Sequence, residues 1–361
     1  MTSYATSGLY IDRTDLFKTE QKDTNIDSTL GTDEVIMKVD HFALTANNIT
    51  YAAFGDRMQY WDFFPAHDGF GSVPVWGFAD VVASNSEDVK VGERFYGYYP
   101  MSSHLKVKAG KSSPAGFMDV AEHRSHLSPI YNHYVRSAND PGYSPEGEAL
   151  QMLFRPLFMT SFLIDDFLFD NDFFGAKRII LSSASSKTAY GLAFLLYERD
   201  GIEVIGLTSP GNVEFTKSMN CYHQVVTYDE LTSIDASEPA VFVDMAGNGE
   251  LREKLHYHIN DNLKYSCSVG ASHWDAQAGA GDLPGAKPTL FFAPAQGQKR
   301  TKEWGPDGLQ ARVGGAWMKF ITQASGWTNI IEHKGLDAMN DVYQIILSGK
   351  VDPKDGHILK F

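Results

Sequence analysis

The sequence predicts a two-domain α/β protein, in which a β-rich, barrel-like domain is followed by a doubly wound parallel sheet. Three observations predict it. The 361 residues are enough for two separate cores. Between about 33 and 150 the chain is a series of short apolar segments punctuated by glycine and proline. From about residue 178 onward, short apolar strands alternate with helix-length stretches, the order that lays parallel strands side by side.

The elements follow in order. Asp33-Glu-Val-Ile-Met-Lys-Val-Asp40 largely alternates apolar and polar residues, as a half-buried strand does. The segments 73–83, 91–99 and 103–108 read as further strands. A helix is expected over roughly 146–170, with Leu150, Leu153, Phe154, Leu157 and Phe158 at helical intervals. Pro156 inside it predicts a kink or a division. Then come strands at 178–182, 203–208, 224–228, 240–244, 264–269 and 289–292, with helices at 188–197, 212–219 and 251–259 between them. Two more helices are expected near 309–324 and 335–348. The last strand, 357–361, has no neighbour in sequence and is expected to return to the first domain. The expected division is 1–150 with 310–361 for the first domain and 151–309 for the second.

Composition narrows the function classes. The chain is 43% hydrophobic and 21% charged, which excludes a disordered or fibrous protein. A net charge of −14 with no basic run argues against a nucleic-acid surface and reads as an aid to solubility. Two cysteines, Cys221 and Cys267, cannot build a disulfide framework or a four-cysteine zinc lobe, so a reducing, cytoplasmic compartment is expected. The first residues lack the pattern of a secretory signal. No apolar stretch reaches the roughly 18 residues of a membrane helix, so no membrane partner is expected.

The order of parts, with several local segments, resembles the medium-chain dehydrogenase/reductase superfamily. Val91-Gly-Glu-Arg-Phe-Tyr-Gly looks like a turn of that family, Ala176 to Ala193 like its strand, loop and helix, and Gly349-Lys-Val-Asp-Pro to Phe361 like its closing segment. The likeness covers nearly all of the chain after about residue 30 and is greatest to the zinc-independent quinone- and enoyl-reductase branch. The wording around Val243-Asp-Met-Ala-Gly-Asn-Gly and Ser268 to Asp275 looks like a divergent subfamily of unknown function. The resemblance implies a GroES-like catalytic domain and a Rossmann domain that binds NADP(H). It also admits a homodimer, since relatives often pair the edges of their nucleotide-domain sheets.

The family's glycine loop is replaced here by Ser182-Ser-Ala-Ser-Ser-Lys-Thr-Ala189. Ser185, Ser186 and Thr188 offer hydroxyls and Lys187 a positive charge, all suited to a pyrophosphate at a helix N-terminus. A loop that merely caps the helix would use the same residue types, and the Ser-Ser-Lys-Thr ending lacks the leading glycines of a P-loop. The second strand ends at Thr208 and Ser209 without the carboxylate that holds an NAD ribose, which favours NADP(H). Lys217 lies two turns on, as a source of charge or as a solvated residue; the family's usual basic position is occupied by Asn212 and Val213. Gly247 and Gly270 follow later strands, where loops line a cofactor crevice or simply turn.

The family's zinc-ligand positions carry no cysteine, histidine or glutamate, so no metal is expected. Hydrogen-bond donors must then polarise the substrate oxygen. Asn48, Tyr51 and Tyr60 fall where zinc-free relatives line the substrate cleft, and are the candidates for polarisation or proton delivery; both tyrosines could equally be core. The resulting expectation is hydride transfer from NADPH to an activated C=C or C=O of an apolar, aromatic or acyl small molecule. A zinc-free ketoreductase or alcohol dehydrogenase, and a non-catalytic nucleotide-binding sensor, stay open.

Overall fold

The structure is a computed structural model that describes residues 3–269 and 283–361. The chain divides into two compact units, one of residues 1–153 with 328–361 and one of residues 154–327.

The first unit opens with β1 (Ser3–Asp12), β2 (Thr19–Asp27), β3 (Glu34–Leu44), α1 (Ala46–Ala53) and β4 (Phe70–Gly71). It continues through β5 (Pro74–Ser84), β6 (Arg94–Pro100), β7 (His104–Ser113), β8 (Gly116–Asp119) and β9 (His133–Arg136). In β3, Val35, Met37, Val39, Phe42 and Leu44 reach the core, and register shifts on either side of Met37–Val39 bend the strand. β3 pairs with β5 on one edge and with β7 on the other, closing a barrel in the order β3-β5-β6-β9-β8-β7. Trp61 is wedged into the wall of this unit between two glycines; a Cβ on Gly55 or Gly71 would lie 2.0 or 2.2 Å from its ring. The hairpin β1–β2, with β4, forms a small second sheet that the sequence pattern did not announce.

Helix α2 (Glu148–Asp170) starts from a charged clamp. Arg94 Nε and Nη2 donate to Glu148 at 2.6 and 2.8 Å, Nη2 also reaches Asp40 at 2.7 Å, and Nη1 reaches Asp80 at 2.9 Å. His41 lies between Asp40 and Glu148, 2.9 Å from each, and the Tyr143 hydroxyl donates to Glu148 at 2.9 Å. α2 runs as one helix through Pro156, so the proline does not divide it. Packing of its apolar face outweighs the one lost backbone bond: the Phe158 ring stacks on Phe320 at 4.7 Å, and Ile164 and Leu168 are fully buried.

The second unit holds β10 (Arg178–Leu181), α3 (Lys187–Tyr197), β11 (Glu203–Thr208), α4 (Val213–Ser218), β12 (Gln224–Thr227) and β13 (Ala240–Asp244). It continues with α5 (Gly249–Ile259), β14 (Leu263–Ser268), β15 (Pro288–Leu290) and α6 (Ala293–Trp327). The strands are parallel in the order β12-β11-β10-β13-β14-β15. This is the doubly wound order, with its reversal between β10 and β13. Helix α6 begins well before the predicted 309 and is broken at Gly305, whose φ is +73°.

The chain then returns to the first unit as β16 (Asn329–Lys334), α7 (Leu336–Leu347) and β17 (Asp355–Lys360). β17 lies antiparallel to β3 along His41–Leu44 and parallel to β16.

Candidate functional site

Two polar clusters stand out, one in each unit. In the barrel unit, α1 and the short turn at Tyr60–Phe63 supply an aromatic nest completed by Trp76, Tyr98 and Tyr131. Ring centroids of Tyr51 and Tyr60 are 4.6 Å apart, and those of Tyr98 and Tyr131 are 4.7 Å apart. The Tyr51 hydroxyl accepts from Asn47 Nδ2 at 2.7 Å and from Trp76 Nε1 at 3.5 Å, and it also interacts with the hydroxyls of Tyr98 and Tyr131. The hydroxyls of Tyr60 and Tyr131 lie 3.5 Å apart. Burial pushes the Tyr51 hydroxyl up to about 12 and raises Tyr60, Tyr98 and Tyr131 as well. All four therefore stay protonated at neutral pH.

Asn48 belongs to the frame of this nest. Its Oδ1 accepts the Thr45 amide at 2.7 Å in a capping box at the start of α1, and its Nδ2 donates to the Pro74 carbonyl at 2.8 Å. Both ends of its amide are engaged in this way, which positions α1.

In the parallel-sheet unit, the turn from β10 to α3 uses three serines in three ways. Ser182 is fully buried: its hydroxyl donates to Asp244 Oδ1 at 2.9 Å and accepts the amides of Met245 and Ala246 at 2.8 and 3.0 Å. Gly247, whose φ is +65°, donates its amide to the same carboxylate oxygen at 2.9 Å. This stitch joins the ends of β10 and β13 at the reversal point of the sheet. Ser185 turns toward the end of β11, where its hydroxyl accepts from Asn212 Nδ2 at 3.0 Å and lies 3.5 Å from the Thr208 hydroxyl. Ser186 is the N-cap of α3, and its hydroxyl accepts the Ala189 amide at 3.3 Å.

The turn replaces glycine with a serine held in the left-handed region, Ser183 at φ +49°. Its amide donates to the Tyr228 hydroxyl, the Ala184 amide to the Leu207 carbonyl, and the Tyr222 hydroxyl to the Ala184 carbonyl. Gly206 makes room for this arrangement, since a Cβ there would stand 2.8 Å from both Ala184 and Tyr222. With these amides used inside the turn, an anion is left with side-chain donors and the first turn of α3. Ser185, Lys187 and Thr188 suit that task in chemistry, standing at the start of an 11-residue helix whose first amides have no acceptor within it.

Lys217 is 58% exposed and sits 3.9 Å from Glu214 on the same helix, so it is not drawn into this cluster. Ser209 precedes a short turn and makes no side-chain cap there. Gly270 lies outside the described residues. Sequence reasoning passed over Asp244 and Tyr131, and noted Asn212 only as an empty basic position. The Asp244 signal was legible as a carboxylate directly after the apolar run 240–243.

Among the described residues, Asp40, His41 and Glu148 form the one group of three or more potential metal ligands. Arg94 already donates to both carboxylates, so a cation is in place there. No described helix is long and apolar enough to cross a membrane.

A closed β-barrel unit and a parallel sheet reversing between its first and fourth strands define a medium-chain dehydrogenase/reductase fold. The mitochondrial 2-enoyl thioester reductase Etr1p/Etr2p heterodimer of Candida tropicalis has a similar structure, at 13% identity and a TM-score of 0.57 over 100% of both chains. The quinone oxidoreductase of Coxiella burnetii is 13% identical, with a TM-score of 0.55 over 99% of this chain and 100% of that one. The yhdH oxidoreductase of Salmonella enterica, solved with NADP, is 13% identical, with a TM-score of 0.53 over 98% and 99%. At these identities the likeness is one of fold. In sequence the chain belongs to the DUF2855 family, described as proteins of unknown function, whose profile matches residues 42–352. No curated protein matches it in sequence.

Proposed function

We propose that the chain is an NADP(H)-dependent oxidoreductase that works without zinc and reduces an activated C=C or C=O of an apolar aromatic or acyl small molecule. The observation that carries this reading is the hydroxyl-bearing turn between β10 and α3, set at the carboxyl ends of strands in the doubly wound order. Support comes from neighbours of the same fold, named as enoyl and quinone reductases, one of them solved with NADP.

Ser185, Lys187 and Thr188 would hold the diphosphate, and Thr208 and Ser209 the ribose beside it. Gly247 shapes the opposite loop through its bond to Asp244. When bound, the nicotinamide supplies the hydride. Tyr51 and Tyr60 supply what the protein must add, a protonated hydroxyl near the substrate oxygen. Asn47 and Trp76 hold the Tyr51 oxygen so that its proton points away from them. Among the described residues β15 is an edge strand of this sheet, and it offers a place for a second copy to pair, as a homodimer of this fold would.

The test is direct binding of NADPH followed by turnover on quinones, enones, enoyl thioesters and aldehydes. Binding with oxidation of NADPH supports the reading. Binding without turnover on any of them supports instead a nucleotide sensor, a reading favoured by the absence of glycine from the turn. Absence of binding removes both.

A further inference from the structure

We infer that His333 and His357 form a site for one divalent transition-metal ion of the nickel or copper kind, bound between β16 and β17. The site lies within the barrel unit alone, and the dinucleotide reading above does not depend on it.

The parallel register sets Ile331 beside His357 and His333 beside Leu359, so the two histidines are diagonal neighbours on one face of the strand pair. Their rings turn toward each other: His333 Nε2 and His357 Nδ1 are 3.0 Å apart, and the ring centroids 5.2 Å apart. In this contact one nitrogen carries a proton and the other accepts it. A metal ion asks for two lone pairs aimed at one point. The rings provide them when the donor imidazole moves its proton to its other nitrogen, a change of tautomer that leaves both rings neutral. The ion then takes the place of the shared proton.

The separation of the nitrogens chooses the ion. With metal–nitrogen bonds of about 2.0–2.1 Å, two ligands at a right angle stand about 2.9 Å apart, and two at the tetrahedral angle about 3.4 Å apart. The observed 3.0 Å matches the right angle, which belongs to adjacent positions in the square-planar or tetragonal geometry of Cu²⁺ and Ni²⁺. A tetrahedral Zn²⁺ would have to push the two rings apart. The surroundings give the ion a dry floor and a wet rim. His357 is 8% exposed and stands opposite Leu44 of β3, two residues before the fully buried Leu359. His333 is half-buried on β16, the edge strand of this sheet among the described residues, where water can reach. No third histidine, cysteine, aspartate or glutamate joins the pair among the described residues, so the remaining positions of the ion fall to water.

The experiment titrates the full chain, free of any histidine tag, with NiCl₂, CuCl₂ and ZnCl₂ by calorimetry, beside His333→Gln and His357→Gln. The parent is expected to bind Ni²⁺ and Cu²⁺, with Ni²⁺ at least as tight as Zn²⁺, and each variant to lose about tenfold or more in affinity. Equal affinity in the parent and both variants would mean that the ion sits elsewhere, and overturns the inference. Absence of binding at millimolar metal overturns it as well, and Zn²⁺ held more tightly than Ni²⁺ overturns the choice of ion. Electron paramagnetic resonance of the Cu²⁺-loaded parent gives a reading that needs no variant: coupling to the nitrogens of two imidazoles supports the site, and its absence overturns it.

Discussion

Replacing Glu148 with glutamine removes one charge from the clamp at the start of α2 and changes no volume. Burial alone would raise the Glu148 carboxyl, but Arg94 and then His41 reverse this and hold it at about 2, against an ordinary 4.5. At 8% side-chain exposure, little of that drop is screened by solvent, and it corresponds to about 3 kcal/mol at neutral pH. A count of interactions agrees: two Arg94 bonds to the carboxylate, each reduced from charge-assisted to neutral strength, lose about 1–1.5 kcal/mol apiece. Glutamine also presents an amide N–H where Glu148 Oε2 now accepts from Arg94 and faces His41. The sign with pH follows. The folded carboxyl is depressed, so its contribution is whole above about 4.5 and is lost as the pH falls toward about 2. His41 runs the opposite way. Burial lowers it, but Asp40 and Glu148 together raise it, so its contribution is present below its ordinary 6.5 and fades as the pH rises through the raised value. Urea unfolding at pH 7 should therefore separate parent and Glu148→Gln by about 3 kcal/mol, and by much less near pH 3. An equal gap at both pH values, or one under about 1 kcal/mol at pH 7, would refute the reasoning.

Other consequences are as open to measurement. Ser182→Ala strips Met245 and Ala246 of their shared acceptor and should cost about 2–4 kcal/mol in thermal or urea unfolding; a loss below about 0.5 kcal/mol would mean the stitch is not formed. Ser183→Gly should be neutral or mildly stabilising, because relief of the left-handed strain offsets glycine's greater chain entropy, whereas Ser183→Val should destabilise by about 1–2 kcal/mol. Gly71→Ala must displace Trp61, and should cost about 1–3 kcal/mol with a visible change in tryptophan emission. Tyr51→Phe should lower kcat about a hundredfold with little change in KM if Tyr51 delivers the proton, while Tyr60→Phe does so if the role is its own; unchanged kcat in both would return the nest to a packing role.

Strands and helices of the parallel sheet were legible because each is a short apolar run or a periodic face between turn residues, and burial on both sides demands that pattern. The hairpin β1–β2 was not, because residues such as Gln21, Asp23 and Asn25 face solvent and leave β2 no apolar alternation to read. Pro156 does not divide α2, because the packing of Phe158, Ile164 and Leu168 holds the helix across it. The candidate turn was found by its residue types, yet those types cannot say which serine does what. Ser182, Ser185 and Ser186 are chemically identical in the sequence, and only their neighbours make one a stitch, one a partner of Asn212 and Thr208, and one a cap. The tyrosine nest has the same limit. Tyr51 and Tyr60 are close in sequence, but Tyr98 and Tyr131 reach them from β6 and from the turn before β9, a proximity that exists only once the barrel closes.

The seating of β17 against β3 has a consequence for synthesis. One edge of β3 is shared, with Glu34–Lys38 taken by β7 and His41–Leu44 by a strand made more than 300 residues later. As the chain leaves the ribosome, the segment 154–327 can close its own sheet while that stretch of β3 waits, uncovered and ready to pair with any passing strand. Translation that stalls before residue 355 would strand the barrel with this edge bare, and aggregation is the outcome to look for in such arrested chains.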